Sequence, residues 1–349
     1  MSPSLLFFFL HLLFLLCLVP CCSSCAQHML LPNSSLPELL AGDKVTDGLR
    51  RYLARFGYIN MSLPADQQDQ DAGLLRLYQS TMGIPPTGRL DNRTAGLLST
   101  PRCGVPDLPN VASRYAYFDG QPRWAPRGRR FTLTYAIIPP PATPDDRLPH
   151  PSAVRAAFRR AFARWARVIP VRFVELATTA GSEFSYNTAD VKVGFFSGDH
   201  GDGEPFDGPL GVLAHAFSPP SGQLHLDAAE RWTVHLDDQE DSSAVDLESV
   251  ATHEIGHVLG LAHSSAPDAV MYPSLKPGTR KVELTADDVR GVQALYGSNP
   301  RFSLSSLSEP DTSSSEASAS PANLLLLLTM IHAMLASCLV DSLSLNLLD

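Results

Sequence analysis

Residues 253–263, HEIGHVLGLAH, constrain this chain more than any other stretch. His253 and His257 are four residues apart, so on a helix both imidazoles project from one face, one turn apart. Gly260 can end that helix with a positive φ, and the chain can then bring His263 to the same point from another side. The spacing predicts a helix, a turn and one metal centre with three imidazole ligands.

Three imidazole nitrogens suit a tetrahedral Zn²⁺ and leave its fourth position open for water, which is typical of catalytic sites. The ion lowers the pKa of that water to about 7. Glu254 directly follows the first histidine, and its carboxylate can take the proton of the water and pass it to a leaving amine. The pattern predicts peptide hydrolysis; the alternatives are histidines that meet by chance and a zinc site without turnover.

The two ends of the 349-residue chain differ from its middle. Residues 1–26 are apolar and end in small residues, which predicts a cleaved secretory signal. Residues 299–323 are rich in Ser and predict a structureless linker. Residues 324–349 open with an apolar run, which favours a GPI-anchor signal over a transmembrane anchor, because no basic cluster follows it. We expect a secreted, extracellular protein attached to the outer face of the plasma membrane.

Cys103 is the one cysteine that would remain after both ends are removed, since the other five lie in residues 1–26 and 324–349. A secreted chain with one cysteine cannot close an internal disulfide. The alternatives are a buried thiol, an intermolecular bridge and a metal ligand. The polar neighbours in PRCGVPD, residues 101–107, favour a tight, exposed turn over a core position.

Apolar spacing divides the middle of the chain into two units. Residues 27–113 hold three segments of helical periodicity. Residues 114–298 combine strand-like runs with three strong helices, which predicts an α/β or α+β domain with one sheet. The net charge of −9 gives nucleic-acid binding no electrostatic support, and the basic face of a predicted helix near residues 152–168 is expected to be solvated. Three glycosylation sequons fall in the first unit, at Asn33, Asn60 and Asn92.

Two motifs carry a resemblance to a known family. The stretch H-E-x-x-H-x-x-G-x-x-H is similar to that of the metzincin zinc endopeptidases, and Met271 in AVMYPS resembles the methionine of the turn beneath their metal. PRCGVPD resembles the cysteine switch of the matrix metalloproteinases (matrixins), and the chain looks like the plant-type members, which lack a haemopexin-like domain. The resemblance runs from about residue 45 to 298. It implies a helical prodomain at 27–113 and, at 114–298, an α+β metzincin catalytic domain with a twisted, mostly parallel sheet and three helices.

The resemblance also implies a latent precursor. The Cys103 thiolate would take the fourth zinc position, since Zn²⁺ deprotonates a coordinating thiol. Arg102 and Asp107 would pair to brace the loop. A cut near residues 112–117, by the enzyme itself or by an activating protease, fits the domain boundary better than RGRR at 127–130, which looks like a convertase site.

Similarity to the matrixin pattern in residues 200–230 implies two further metal sites. A structural zinc would be closed by four protein ligands: His200, Asp202, His215 and His225. At least one Ca²⁺ would be held by carboxylates and backbone carbonyls. The implied calcium ligands are Asp207, Gly208, Leu210, Val212, Asp227 and Glu230. Leu210 stands where many relatives carry Gly, so its φ must be one that Leu can adopt.

The run GVLAHAF, which includes Leu213 and Ala214, resembles the edge strand along which family substrates lie as an added strand. Tyr272 and Pro273 would wall an apolar pocket beside the zinc, with Ser249 as its floor. A small residue there predicts a deep pocket for Leu-like or larger P1′ side chains. The expected partners are protein or peptide substrates.

The leading hypothesis is therefore a secreted, latent, zinc-dependent endopeptidase with Glu254 as general base. The alternative is a surface-anchored, zinc-stabilised binding module without turnover, which would have no need of Glu254. A metzincin of another family, such as an astacin- or adamalysin-like enzyme, is disfavoured by the cysteine-switch motif and by the absence of disulfide cysteines from residues 114–298.

Overall fold

A computed structural model of the chain describes residues 47–59, 67–107, 117–126, 131–138, 147–177, 183–236 and 242–304. Several predictions concern residues outside these ranges: the signal, Asn33, Asn60, RGRR, most of the linker and the C-terminal tail. None of the helices within the described ranges combines the length and the apolar content that a bilayer span requires.

Three helices precede the main sheet. They are α1 (Asp47–Arg55), α2 (Gln67–Thr81) and α3 (Asn92–Leu98). Asp91 caps α3 by accepting a hydrogen bond from the Thr94 amide. The helices share one apolar cluster that continues into the following unit, and this cluster includes Leu49, Leu53, Leu75, Tyr78, Leu98, Phe206, Val212 and Tyr272. The helical segment is thus packed against the sheet-containing part through a common core.

The described residues form strands of a main sheet and of a separate two-stranded ladder. The strands are β1 (Arg102–Cys103), β2 (Thr132–Ile137), β3 (Arg172–Glu175), β4 (Val191–Phe196), β5 (Val212–Ala216), β6 (Gln223–Asp227), β7 (Trp232–Thr233) and β8 (Val245–Asp246). The main sheet has six strands in the order β1-β5-β6-β4-β2-β3. β5 and β6 are antiparallel, and every other neighbouring pair is parallel. The prediction of a mostly parallel sheet in an α+β domain is confirmed, whereas the ladder of β7 and β8 was not predicted.

The three predicted helices of this part are present, together with a fourth of only six residues. They are α4 (Pro151–Val168), the short α5 (Glu183–Thr188), α6 (Leu247–Val258) and α7 (Ala286–Tyr296). The indole of Trp165 on α4 donates to the carbonyl of Thr252 at 2.9 Å and joins α4 to α6. Thr285 and Asp288 form a capping box at the start of α7, and Gly297 ends it.

The basic face of α4 is only partly solvated, which corrects the sequence-based expectation. Arg160 and Arg164 both pair with Glu248, which lies at the start of α6 and is 1% exposed. The carboxylate needs these partners because an unpaired buried charge is costly. The basic face therefore contributes to the packing of α4 on α6, the helix that carries the predicted metal ligands.

Candidate metal centre and active site

The three histidines predicted as zinc ligands converge. The Nε2 atom of His257 lies 3.1 Å from that of His253 and 3.2 Å from that of His263. Gly260, at φ +99°, turns the chain after α6, and a Cβ there would lie 2.1 Å from the carbonyl oxygen of Pro122. Only glycine fits this turn, which brings His263 back to the helix.

Hydrogen bonds orient the imidazoles on α6. The Nδ1 atoms of His253 and His257 lie 2.7 Å and 2.8 Å from the carbonyls of Val270 and Leu261. A carbonyl only accepts, so each Nδ1 donates and each Nε2 presents a lone pair to the centre. Burial also holds the pKa of both histidines well below the usual value. Lone pairs this close repel unless a cation lies between them, and Zn–N bonds of about 2.0–2.1 Å imply N···N separations of about 3.3 Å. The donor set therefore fits zinc.

Cys103 completes this centre. Its Sγ lies 3.4 Å from Nε2 of His257, and the four ligand atoms of the group lie within 4.8 Å of one another. The prediction of an exposed turn was wrong, because Cys103 is only 4% exposed. The segment around Cys103 is extended. Its amides donate hydrogen bonds to the edge of the main sheet on one side and to the residues just after Met271 on the other. These bonds run from Arg102 to Gly211, from Cys103 to Pro273 and from Gly104 to Ala214.

Arg102 and Asp107 form a buried ion pair beside the centre. The guanidinium of Arg102 also lies over the ring of Phe56, the residue that follows α1, at 3.6 Å from the ring centroid. Asp107 accepts a hydrogen bond of 2.6 Å from the hydroxyl of Tyr58 and lies 2.8 Å from Nδ1 of His263. Although burial alone would raise the pKa of Asp107, Arg102 and His263 lower it well below its usual range. Asp107 is thus an ionised acceptor at the edge of the metal centre.

Glu254 is fully buried, and neither carboxylate oxygen has a hydrogen-bond partner among the described residues. Burial raises its pKa to about 8, although the neighbouring Cys103 opposes the rise. A buried carboxyl group without a partner is costly. Such groups are typical of sites where the missing partner is a substrate, a water or an ion.

The methionine turn lies against α6. A Cβ at Gly256 would lie 2.2 Å from Sδ of Met271, so the close approach depends on glycine. Asp288 accepts from the amides of Val270 and Met271, each at 3.0 Å. No local sequence signal points to this role of Asp288, because its contact with the turn is a tertiary one. The side chain of Asp288 therefore fixes both α7 and the turn beneath the histidines.

A second cluster lies in residues 200–225. One carboxylate oxygen of Asp202 is 2.9 Å from Nε2 of His200, 2.8 Å from Nε2 of His215 and 2.7 Å from Nδ1 of His225. Burial lowers the pKa of His215 to about 4. Three imidazoles and one carboxylate that converge in this way match the four-ligand shell of a structural zinc.

The predicted calcium residues also come together. Asp207, Asp227 and Glu230 accept from the amides of Val212, Gly208 and Leu210 respectively, which draws the loop around the three carboxylates. Oε2 of Glu230 is buried without a hydrogen-bond partner among the described residues, and burial raises the pKa of this carboxyl to about 8. Leu210 adopts φ +63°, the left-handed conformation that glycine favours. Clustered carboxylates with an unpartnered oxygen are a donor set that suits Ca²⁺.

The predicted substrate pocket is a small cavity beside the metal centre. Leu213, Ser249, Tyr272 and Pro273 line its wall, together with Cys103, whereas Ala214 does not. The volume of about 20 Å³ has room for about one water molecule. The Ser249 hydroxyl donates to Asp246 at 2.5 Å and accepts from the amide of Lys281 at 2.7 Å.

Comparisons with known proteins give a consistent result. Residues 123–297 match the family model described as Matrixin. The chain is 49% identical over 296 residues to Metalloendoproteinase 4-MMP of Arabidopsis thaliana, covering 83% of this chain and 80% of that protein. It is 50% identical over 297 residues to Metalloendoproteinase 1-MMP of the same plant, with 80% and 77% covered. It is 38% identical over 250 residues to Matrilysin of Homo sapiens, with 70% and 83% covered.

Proposed function

The chain belongs to the matrixin family of zinc metalloendopeptidases, and on that premise we propose that it is a secreted enzyme held latent by residues 27–113. Residues 114–298 form the catalytic domain in this proposal. One observation carries it: the thiol of Cys103 meets the three imidazoles beside Glu254, a buried carboxyl group with no hydrogen-bond partner in the described part of the chain. An endopeptidase needs that carboxyl group, whereas a binding module does not.

Zinc held by His253, His257 and His263 would supply the Lewis acidity that activates a water and polarises the scissile carbonyl. Glu254 takes the proton of the attacking water and later delivers it to the leaving amine. Burial raises the pKa of this carboxyl, which makes its carboxylate a stronger base. The hydrogen bonds from His253 and His257 to Val270 and Leu261 keep their Nε2 lone pairs directed at the metal.

The segment around Cys103 blocks both chemistry and binding. Its Sγ takes the position that the attacking water would need. Its backbone pairs with β5 through the hydrogen bond from Gly104 to Ala214, and we propose that an extended substrate pairs with the same strand in the mature enzyme. Its side chain also lines the predicted P1′ pocket. Removal of residues 27–113, by the enzyme or by an activating protease, would free the water position, strand β5 and the P1′ pocket.

The remaining metal sites are part of the same proposal. His200, Asp202, His215 and His225 would hold a structural zinc. Asp207, Asp227 and Glu230, with backbone carbonyls of Gly208, Leu210 and Val212, would hold at least one Ca²⁺. We also propose the extracellular location, with a GPI anchor at residues 324–349 and glycans at the sequons. Of these, Asn92 is exposed at the start of α3.

Hydrolysis of a quenched peptide by the secreted chain tests the enzyme and its latency together. Three proteins are compared, with and without a zinc chelator: the unmodified chain, Cys103→Ser and Glu254→Ala. We expect the unmodified chain to be silent until processed, Cys103→Ser to cleave at once, and Glu254→Ala to remain silent while it retains zinc. Zinc retention without cleavage by any variant after prodomain removal would favour the binding module.

A further inference from the structure

The three candidate ligand histidines differ in what orients them. His253 and His257 donate Nδ1–H to the carbonyls of Val270 and Leu261, which belong to the proposed catalytic domain. His263 instead directs Nδ1 at the carboxylate of Asp107, at 2.8 Å. Asp107 belongs to the proposed prodomain, so this one contact is lost when the prodomain leaves.

The carboxylate of Asp107 is buried and is held in place by two other side chains. Its side chain is 0% exposed and pairs with Arg102, and the Tyr58 hydroxyl donates to its second oxygen at 2.6 Å. The other oxygen, Oδ1, is the one that faces His263. Its partner Arg102 is fixed in turn, since its guanidinium lies over the ring of Phe56.

We propose that Asp107 is a positioning residue of the latent metal centre and acts on the zinc through His263. The inference rests on the proposed zinc site. The prodomain would then hold the centre at two atoms, directly through Sγ of Cys103 and indirectly through Nδ1 of His263. A carboxylate acceptor on the far nitrogen fixes the tautomer of a ligand histidine and raises its basicity, and its loss typically lowers metal affinity by about 10–100-fold.

This arrangement gives activation a second consequence. Departure of Cys103 would open a ligand position, while departure of Asp107 would leave Nδ1 of His263 without its carboxylate acceptor and make His263 a weaker donor. Zinc held by His253, His257 and His263 in the mature enzyme would then be bound less tightly.

Nitrogen-15 NMR of the histidine side chains tests the contact directly. The zinc-loaded full chain carries Glu254→Ala, which prevents self-cleavage. His253 and His257 serve as internal controls, because their acceptors do not change. We expect the Nδ1–H proton of His263 to resonate downfield of the other two and to move upfield in Asp107→Asn. In Tyr58→Phe, which removes one partner of Asp107 but keeps its charge, the resonance should stay in place.

The thiolate-to-metal absorption band of the cobalt-substituted protein shows whether Cys103 stays on the metal in each variant. If Asp107→Asn releases the segment, the unmodified sequence is compared before and after prodomain removal, and the His263 proton should change more than its two controls. Zinc affinity is a second readout. In the Glu254→Ala background with Cys103 intact, Asp107→Asn should weaken zinc binding by about 10–100-fold.

Two results would overturn the inference: a His263 proton that moves no more than its controls, or equal zinc affinities with and without the Asp107 carboxylate. Either result would mean that Asp107 pairs with Arg102 but does not act on the metal centre. Failure of the proposed function would look different, because the processed chain would then hydrolyse no peptide, whatever residue stands at position 107.

Discussion

The hydroxyl of Tyr272 donates a hydrogen bond of 3.1 Å to the backbone carbonyl of Met82, which ties a wall of the predicted substrate pocket to the residue after α2. The next residue, Gly83, has φ +65°, and a Cβ there would lie 2.2 Å from the carbonyl oxygen of Ser265. The helical segment thus approaches the predicted substrate cleft at a point with no room for a side chain.

Gly83→Ala should therefore loosen the proposed latent form. The clash with Ser265 and the left-handed backbone together should cost roughly 2–3 kcal/mol, which is about a 30–150-fold increase in the open fraction. We expect peptide hydrolysis without an activator to rise accordingly. Gly73→Ala in α2 is the matched control, since a Cβ there meets nothing within 4 Å. Equal latency of the two variants would contradict the prediction.

Arg102→Met should release the segment around Cys103, residues 101–107, even though Cys103 is intact. The variant leaves the carboxylate of Asp107 buried without its main partner, and removal of one member of a buried ion pair costs about 3–5 kcal/mol. The expected result is spontaneous self-processing, followed by gel electrophoresis over time. Arg50→Met is the control, because Arg50 pairs with Asp71 near the surface, where such a pair is worth about 0.2–1 kcal/mol. The prediction fails if the Arg102 variant stays as latent as the Arg50 variant.

Glu248→Gln should destabilise the protein in a pH-dependent way. Although burial raises the pKa of Glu248, hydrogen bonds and charges from Arg160, Arg164 and Arg280 lower it below its usual value. A lowered pKa in the folded state means that the contribution to stability is complete above about pH 4.5 and is lost as the pH falls further. Because two of these arginines are about half exposed, we expect about 1–3 kcal/mol at pH 7.

Denaturant titration of the free energy of unfolding between pH 7 and 3 checks this difference. Glu283→Gln is the matched control. Glu283 is 64% exposed and also pairs with Arg164, so its loss should change stability by less than about 0.5 kcal/mol at every pH. A difference between Glu248→Gln and the unmodified chain that persists undiminished at pH 3 would be inconsistent with the ion-pair account.

Asp202→Asn should remove one metal ion and leave the other. The Asp202 carboxylate contacts all three histidines of its cluster, and the amide is neutral and a poorer zinc ligand. Elemental analysis should give two zinc ions per unmodified chain and one per variant chain. Asp199→Asn controls for the loop itself, because Asp199 is exposed and accepts a hydrogen bond from the nearby amide of Gly201. Two zinc ions in both variants would exclude the proposed ligand role of Asp202.

The sequence predicts best where local geometry decides the outcome. One helix and one glycine turn place His253, His257 and His263, so their spacing alone implied that they meet. The exposure of Cys103 was predicted wrongly, because polar neighbours indicate a turn only when nothing else packs on them. Arg102 and Asp107 are buried because each neutralises the other against the rest of the molecule, which is a tertiary effect. The contacts of Asp107 with His263 and of Asp288 with the methionine turn have no local signal for the same reason.

The edge of the main sheet has a consequence for the form of the enzyme that the proposed activation would produce. β1 covers the outer side of β5 with only two residues, and those residues lie in the segment proposed to be removed. The carbonyls of Gly211 and Ala214 would then lose their partners. An unpaired edge strand is a template for any extended chain, including a second copy of the same protein. We therefore expect the precursor to be the form that resists aggregation during storage, and the mature enzyme to depend on substrate or inhibitor to cover the same edge.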